Sequence, residues 1–353
     1  MINNWLRTLD DKSSYLRIVF LDFSKAFDRI DHNILVPKLL ALGVRLSLIP
    51  WICSFLLNRR QSVKIDNFQS DWGINNAGVP QGTKLDPILF IIMINDLELA
   101  SSSTDHWKYV DDVTISESLK KNEVSVLQSD LNTIERWTVN NNMKLNGKKC
   151  KEMIVSFVRS ENDIPRLLID GLPLDLVPSF KILGLTMNNK LKWQDNTEAL
   201  VKKASKRLYI IRVLQRCGLS PNDLLLVYFS MVRSILEYAC PVWHTMLPKC
   251  LGVKIEKVQK RAFRIIYPTT DCEDALNIAK CKRLVDRRQE LCAKTLKKIL
   301  KPDAHLNHLL PPLREESHEL DLRNNSNFTL TKCRTERFKT SFIPAMTANF
   351  NRK

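Results

Sequence analysis

The sequence predicts an α+β fold in which a sheet domain, with helices on one face of the sheet, is followed by an all-α domain. Short apolar segments typical of strands alternate with helical segments up to about residue 193. From Asp195 onward the pattern changes to long amphipathic helices. The charge changes at the same place, because residues 1–193 carry 24 basic and 22 acidic residues whereas residues 194–353 carry 30 and 16.

The elements of the first part follow from local patterns. Residues 15–21 are apolar and β-rich, as in a buried strand. Asp66 and Asn67 separate two alternating segments, which is typical of a hairpin. Asp86 followed by Pro87 is typical of a helix start with Asp86 as the N-cap. Strands are predicted over residues 15–21, 61–65, 70–74, 107–110, 113–116, 153–158 and 180–187, and helices over 33–43, 47–57, 86–99 and 122–139.

The second part is predicted to be helical and basic. In residues 198–216, Leu200, Leu208 and Ile211 form an apolar stripe while lysines and arginines surround it. Helices are predicted over residues 196–216, 220–237, 252–266 and 283–300. Beyond about residue 302 the chain is polar and weakly periodic, which predicts poor order in residues 315–335.

The composition restricts the class of protein. A net charge of +16 favours a polyanionic partner, nucleic acid first, over charge that only improves solubility. No apolar run reaches the roughly 18 residues of a membrane span, and no signal peptide is recognised at the N-terminus. The nine cysteines form no C-x-x-C pair, which predicts reduced thiols. We therefore expect no membrane partner and a location in the cytoplasm, the nucleus or both.

Three carboxylates stand where strands end. Asp22 follows the predicted strand 15–21, and Asp111 and Asp112 lie at the tip of a predicted hairpin. Adjacent acids repel each other, and a divalent cation removes that penalty. Taken alone, the Asp111–Asp112 pair is better explained by a turn preference.

The wider pattern resembles the reverse transcriptases of non-LTR (LINE-type, jockey-like) retrotransposons. Phe20 to Asp28 with Asp31 and His32 resembles their motif A, Gly78 to Thr83 with residues 87–90 and 94–97 their motif B, and Tyr109 to Asp112 their motif C. Residues 142–146 with Lys148 and Lys149 resemble motif D, and residues 180–184 motif E. Residues 238–243 and 260–262 are similar to the thumb of jockey-type elements. The motifs occur in the family's order over roughly residues 1–300.

The resemblance implies a polymerase palm, an antiparallel sheet with helices on one face, within residues 1–193, a basic helical thumb in residues 194–300 and a partly disordered extension in residues 301–353. It assigns Asp22, Asp111 and Asp112 to two Mg²⁺ ions, with Mn²⁺ as the alternative. The backbone carbonyl of Phe23 would be a further ligand. The partners it implies are an RNA template, a DNA primer and dNTPs; it does not indicate the oligomeric state.

The other site residues also come from the resemblance. Phe27 corresponds to the steric gate that excludes a ribose 2′-OH, although a core aromatic is the simpler interpretation of that residue. Gln81 and Gly82 would approach the nucleotide and the template. Lys148 or Lys149 would protonate the leaving pyrophosphate, with a solvated lysine as the alternative. Nucleic-acid contacts are predicted for six basic residues of the thumb: Lys202, Lys203, Lys206, Arg207, Lys260 and Arg261.

Two departures from the family leave two hypotheses. Only 21 residues precede Asp22, so the fingers that precede motif A are expected to be largely missing. Asp86 stands where the family has glycine. The first hypothesis is an RNA-directed DNA polymerase that extends a primer 3′-OH by two-metal phosphoryl transfer. The second is a truncated, catalytically inactive product that binds nucleic acid through its basic thumb.

Overall fold

The chain forms two compact units in a computed structural model. The structure describes residues 1–158, 164–314 and 327–352. Ser13–Pro178 form one unit, called the sheet unit below, and Met1–Lys12 with Ser179–Lys353 form the other, called the helical unit. The α+β organisation with a sheet and helices is confirmed.

The sheet unit contains strands β1–β11 and helices α2–α5. The strands are β1 (Ser14–Leu21), β2 (Arg59–Gln61), β3 (Lys64–Ile65), β4 (Phe68–Gln69), β5 (Gly73–Asn75), β6 (Thr104–Tyr109), β7 (Asp112–Lys120), β8 (Lys151–Val155), β9 (Leu168–Ile169), β10 (Leu172–Pro173) and β11 (Asp175–Leu176). The helices are α2 (His32–Ala41), α3 (Ile49–Leu56), α4 (Leu85–Ile94) and α5 (Leu127–Asn140).

The main sheet has five strands in the order β11-β8-β1-β7-β6. β1 pairs antiparallel with both β7 and β8, while β11 runs parallel to β8. All eight residues of β1 are buried. Val19 and Leu21 of β1 share a core cluster with Leu35 of α2, Phe90 of α4 and Ile134 of α5. Alternate residues of the central strand therefore join the sheet to three helices.

A buried ion pair crosses this sheet. The guanidinium of Arg17 on β1 lies 2.5 Å from Glu152 on the neighbouring strand β8, and both side chains are almost fully buried. On the other side of β1, Arg17 is the register partner of Glu117. The carboxylate of Glu117 accepts hydrogen bonds from Ser125 and from the backbone of Val126 just before α5. These bonds explain why α5 begins at Leu127, five residues later than predicted.

The predicted start of α4 is wrong in one detail. The helix begins at Leu85, so that Asp86 lies inside the first turn and the N-cap is Lys84. The helix also ends at Ile94 rather than near Leu99, and the ammonium of Lys108 donates to three backbone carbonyls at that end, including those of Ile94 and Leu97.

The helical unit contains the remaining elements. The strands are β12 (Ser179–Ile182) and β13 (Leu185–Asn188). The helices are α1 (Ile2–Thr8), α6 (Gln194–Arg216), α7 (Pro221–Val227), α8 (Ser234–Glu237), α9 (Cys240–Trp243), α10 (Lys249–Ile266), α11 (Cys272–Ile278), α12 (Leu284–Ile299), α13 (Glu336–Lys339) and α14 (Phe342–Phe350).

The units divide after Pro178, upstream of the boundary expected near Trp193. Leu185 of β13 and Trp193 pack in the same core as Leu200 of α6, which is why this segment joins the helices. The single strand predicted for residues 180–187 is a hairpin, because Leu183 and Gly184 both have positive φ and reverse the chain.

The helical stretch 221–246 differs from the prediction for residues 220–237. Tyr228–Arg233 form a π-helix between α7 and α8, and Ala239 with φ 47° precedes α9. By length and composition alone this stretch would be able to cross a membrane, a criterion that core helices of soluble proteins also meet. Tyr228 and Leu236 within it are fully buried in the core of the helical unit.

Hydrogen bonds join the C-terminal part of the chain to the segment that directly follows α1. The carboxylate of Asp10 accepts hydrogen bonds from the backbone of Arg334 and from both the backbone and the hydroxyl of Thr335. Of the stretch 315–335 predicted to be poorly ordered, residues 315–326 lie outside the described residues, whereas residues 327–335 lead into α13 through these bonds.

Candidate active site

Strand pairing brings the three predicted acids to one edge of the sheet. In the register of β1 and β7, Leu21 pairs with Val113; Asp22 directly follows this pair on one strand and Asp112 directly precedes it on the other. Tyr109 pairs with Asp112 in the β6–β7 hairpin. Asp111 therefore lies in the two-residue turn, next to Asp112.

The hairpin tip has an unusual backbone. Val110, the first residue of the turn, has φ 55°, a conformation that is an outlier for a β-branched residue and costs on the order of 1–3 kcal/mol. Its side chain packs against the core of the sheet unit, and this packing holds the turn. The strained turn fixes the direction in which Asp111 leaves the sheet.

The charges of the three acids act on one another. Partial burial raises the pKa of Asp112, and the nearby charges of Asp111 and Asp22 raise it further. The Oδ2 atom of Asp22 is buried and accepts no hydrogen bond among the described residues. The ammonium of Lys149 lies 3.3 Å from that oxygen as an ion pair. Lys149 therefore provides the positive charge at this edge of the sheet.

Lys149 reaches Asp22 because a distant segment pairs with the end of β1. The amide of Asn146 donates to the carbonyl of Asp22, and the amide of Ser24 donates to the carbonyl of Lys144. These bonds flank the bridge between Phe23 and Leu145. The bridge uses the groups on either side of Phe23, so the carbonyl of Phe23 takes no part in it.

Cys150 is a contact of Asp22 that the sequence did not reveal. The backbone amide of Asp22 donates to Sγ of Cys150 at 3.4 Å. Burial raises the pKa of the Cys150 thiol to about 11, so the sulfur is uncharged at neutral pH. Of the two candidate lysines, the side chain of Lys149 lies at Asp22, whereas Lys148 is exposed and contributes its backbone carbonyl to Lys151.

Two loops form the side of the site next to these acids. The amide of Gly78 donates to the carbonyl of Ile30, and the amide of Val79 donates to the carbonyl of Phe27. Gly78 has φ 85°, and a Cβ there would lie 2.9 Å from the backbone of Asp28. Only glycine permits this approach.

The hydrogen bonds between these two loops bring predicted site residues together. The side-chain amide of Gln81 donates to Asp28 at 3.2 Å, one residue beyond Phe27. The amide of Gly82, which has φ 94°, donates to Oδ2 of Asp86 at 2.8 Å. The hydroxyl of Thr83 contacts the other carboxylate oxygen at 3.2 Å. Asp86 is therefore a buried anchor of the Gly82 loop rather than a free charge in the site.

An aromatic cluster supports the ring of Phe27. That ring is half-buried, with its centroid 5.0 Å from that of Phe90 on α4. Phe23 contacts Phe90 and Trp137 edge-on. The indole of Trp137 donates to Asp96.

The described residues contain no group of three or more His, Cys, Asp or Glu side chains arranged to hold a metal ion. The donor set itself is suited to a hard divalent cation, since carboxylate oxygens are its preferred ligands. The metal assignment of Asp22, Asp111 and Asp112 stays a prediction.

Residues 2–187 match the protein family described as "Reverse transcriptase (RNA-dependent DNA polymerase)". The chain belongs to the reverse transcriptase family. The RNA-directed DNA polymerase from mobile element jockey of Drosophila funebris is 28% identical over 326 residues, which are 88% of this chain and 34% of that protein. The probable RNA-directed DNA polymerase from transposon BS of Drosophila melanogaster is 28% identical over 284 residues, 76% of this chain and 30% of that protein.

These matches confirm the predicted relationship to jockey-like reverse transcriptases. The chain spans about a third of the length of the curated relatives it matches. A solved structure of apo telomerase from Candida tropicalis is 14% identical, with a TM-score of 0.42, and the match covers 76% of this chain and 44% of that one.

The basic face of the chain lies on α6 and α10 of the helical unit. All six residues predicted to contact nucleic acid are exposed there: Lys202, Lys203, Lys206, Arg207, Lys260 and Arg261. Lys206 and Arg261 line the same cleft between the two helices, and Lys260 lines the neighbouring one. The other three predicted residues line neither cleft.

Proposed function

We propose that the sheet unit is the palm of an RNA-directed DNA polymerase that extends a primer 3′-hydroxyl with dNTPs. The observation that carries this proposal is that strand pairing ends with Asp22 and Asp112 on neighbouring strands at one edge of the sheet, with Asp111 in the adjacent turn. Membership of the reverse transcriptase family supports the reaction type. The relatives from jockey and transposon BS, named as RNA-directed DNA polymerases, support the substrates.

Asp22, Asp111 and Asp112, with the carbonyl of Phe23, would hold the divalent cations, Mg²⁺ or Mn²⁺. Bound ions of this kind activate the attacking hydroxyl and neutralise charge on the transferred phosphoryl group. The buried Oδ2 of Asp22, which is paired with the Lys149 ammonium, and the raised pKa of Asp112 fit such a role, because both record negative charge that a cation would stabilise.

Phe27, Gln81 and Gly82 would bind the incoming nucleotide. Phe27 is half-buried against Phe90, so its ring cannot move aside at low cost when a ribose 2′-OH approaches. Gln81 is exposed and is held by Asp28 at the same loop junction. The open space around Gly82 permits close approach of a base or sugar to the backbone.

Lys149 would supply the proton to the leaving pyrophosphate. Its ammonium already lies at Asp22, next to the acids that would hold the cations. Lys148 is the second candidate, because it is exposed one residue away.

The helical unit would act as a thumb that holds the RNA–DNA hybrid through phosphate contacts from the basic faces of α6 and α10. Such contacts depend on charge and shape, and they position the duplex without reading its sequence.

Primer extension on an RNA template tests the proposal. The full chain should incorporate dNTPs in the presence of Mg²⁺, and incorporation should require an RNA template with a DNA primer. Chelation of the metal should stop the reaction. Absence of incorporation by a chain that still binds the hybrid would reject the polymerase assignment.

The second candidate function is nucleic-acid binding without catalysis. Two observations favour it. The Lys149 ammonium forms an ion pair with Asp22, and the described residues contain no group of side chains arranged to hold a metal ion. A hybrid affinity that falls steeply with salt, together with no extension, is the result that this function predicts.

A further inference from the structure

A cleft between α6 and α10 combines positive charge with an exposed aromatic ring. Its volume is about 550 Å³. Four of its lining residues are cations and none is acidic: Lys206, Arg212, Arg261 and Arg264. The ring of Tyr209 also lines the cleft and is 65% exposed. Tyr209 was not among the residues predicted from the sequence.

The floor of the cleft belongs to the core of the helical unit. Leu208 of α6 is buried below it, and the fully buried Ala204 of α6 and Ala262 of α10 belong to the same core. The guanidinium of Arg261 is held by Ser205 at 2.7 Å. A cation fixed in this way loses little conformational entropy when it binds a phosphate.

A second cleft lies along α10 and is lined by several cations together with two acidic residues, Glu256 and Glu273. It has a volume of about 800 Å³ and shares Arg261 and Arg264 with the first. Lys257, Arg261 and Arg264 recur at helical spacing on one face of α10, together with Lys254, which pairs with Glu198 at 3.5 Å. From Lys254 to Arg264 the helix rises about 15 Å, so the cations form a track rather than a point.

We infer that the first cleft, which Tyr209 lines, binds a segment of single-stranded nucleic acid, with one base stacked on Tyr209 and the adjoining phosphates on Arg261 and Arg264. Along a duplex a protein meets phosphates, sugars and base edges, but not the faces of the bases, because these are stacked inside the helix. An unpaired base offers its face, and stacking on an aromatic ring tolerates any base. The inference rests on the proposed nucleic-acid binding of the helical unit, but not on polymerisation.

Binding of fluorescently labelled oligouridine and oligothymidine, measured by anisotropy without Mg²⁺ or dNTPs, tests the inference. Tyr209→Ala should weaken the binding of both oligonucleotides about tenfold, while a blunt RNA–DNA hybrid should bind as it does to the unmodified chain. Tyr209→Phe keeps the ring and should retain the affinity. The salt dependence should not change in Tyr209→Ala, because no charge is removed.

Two charge variants complete the test. Arg264→Ala should weaken single-strand binding and lower the slope of log K against log salt by about 0.7. Lys297→Ala removes an equally exposed helical cation that lines neither cleft, and it should leave single-strand binding nearly unchanged.

The inference is overturned if Tyr209→Ala binds single strands normally, or if it weakens single strands and hybrid by the same factor. Primer extension measured on the same preparations separates this failure from failure of the proposed polymerase. A chain that extends primers but shows no role for Tyr209 retains the first proposal and loses this one.

Discussion

The acidic edge of the sheet unit and the basic face of the helical unit differ in how many charged residues they contain and in how those residues are positioned. At the acidic edge, a few residues from distant parts of the sequence are fixed by backbone hydrogen bonds, such as that from Asn146 to the carbonyl of Asp22. On the basic face, many exposed cations repeat along two helices, and Arg261 among them is held by a side-chain contact with Ser205. Loss of one acid should therefore remove a function, whereas loss of one cation should only weaken one.

The largest effect tests that contrast directly. Asp111→Asn should lower the rate of primer extension about a thousandfold or more, because a metal ligand and its charge are removed. The affinity for the RNA–DNA hybrid should stay the same or increase, since negative charge is lost. Extension and hybrid affinity measured on one preparation check both points, and unchanged synthesis would remove Asp111 from the metal site.

The next largest effect is on stability, and it concerns the close contact between the loop that contains Gly78 and the loop that contains Asp28. Gly78→Ala should destabilise the protein by about 3 kcal/mol, because the new Cβ meets the backbone of Asp28 at 2.9 Å and φ is 85°. Gly171→Ala is the matched control, with φ 72° but open space around it, and should cost about 1 kcal/mol. Urea denaturation measures both. Equal losses would show that the close approach is not a constraint.

A smaller effect is expected on sugar selectivity. Phe27→Val opens space next to Phe90 and should raise the relative kcat/KM for rNTPs at least tenfold, on the scale of about 1–3 kcal/mol for removal of buried carbon atoms. Ile30→Val, a conservative change of a buried residue in the same loop, should leave selectivity unchanged. If the dNTP to rNTP ratio is the same in both variants, Phe27 is a core residue and not a gate.

The smallest effect is electrostatic. The pKa of Asp112 is raised by partial burial and by its acidic neighbours, so its ionisation opposes folding. Asp112→Asn should raise stability slightly at neutral pH, by less than about 1 kcal/mol because the site is solvent-screened. The gain should disappear as the pH falls below the ordinary range of a carboxyl group.

Asp175→Asn should change stability in the opposite direction. A hydrogen bond from Lys151 lowers the pKa of Asp175, so this substitution should reduce stability at neutral pH. The loss should vanish as the pH falls through the lowered pKa. Denaturation at several pH values distinguishes the two, and a common direction for both variants would contradict the assigned causes.

Much of the acidic edge was predictable because its determinants are local. The apolar run that ends at Asp22 and the turn at Asp111 both mark strand ends, and β1, β6 and β7 form where the sequence indicates. The hairpin of residues 59–75 was also predicted, including its turn at Asp66 and Asn67.

The missed features depend on contacts between distant residues. Asp86 precedes Pro87 and follows a loop, a position that suits either an N-cap residue or a residue that binds the loop. In the structure Asp86 accepts a hydrogen bond from the amide of Gly82 in that loop. The local sequence does not distinguish these two roles, because the difference depends on how the loop folds. The bond from Asp22 to Cys150 and the pairing of Arg17 with Glu152 span more than a hundred residues. Periodicity carries no information about such pairs, nor does it tell that Tyr209 borders a cleft.

A crystal structure of the full chain grown with Mn²⁺ tests the central claim most directly, because the ion is located by its anomalous scattering. We predict Mn²⁺ bound by carboxylate oxygens of both Asp22 and Asp112, with the ammonium of Lys149 displaced from Asp22. Mn²⁺ absent from this edge while Lys149 remains paired with Asp22 would contradict the account.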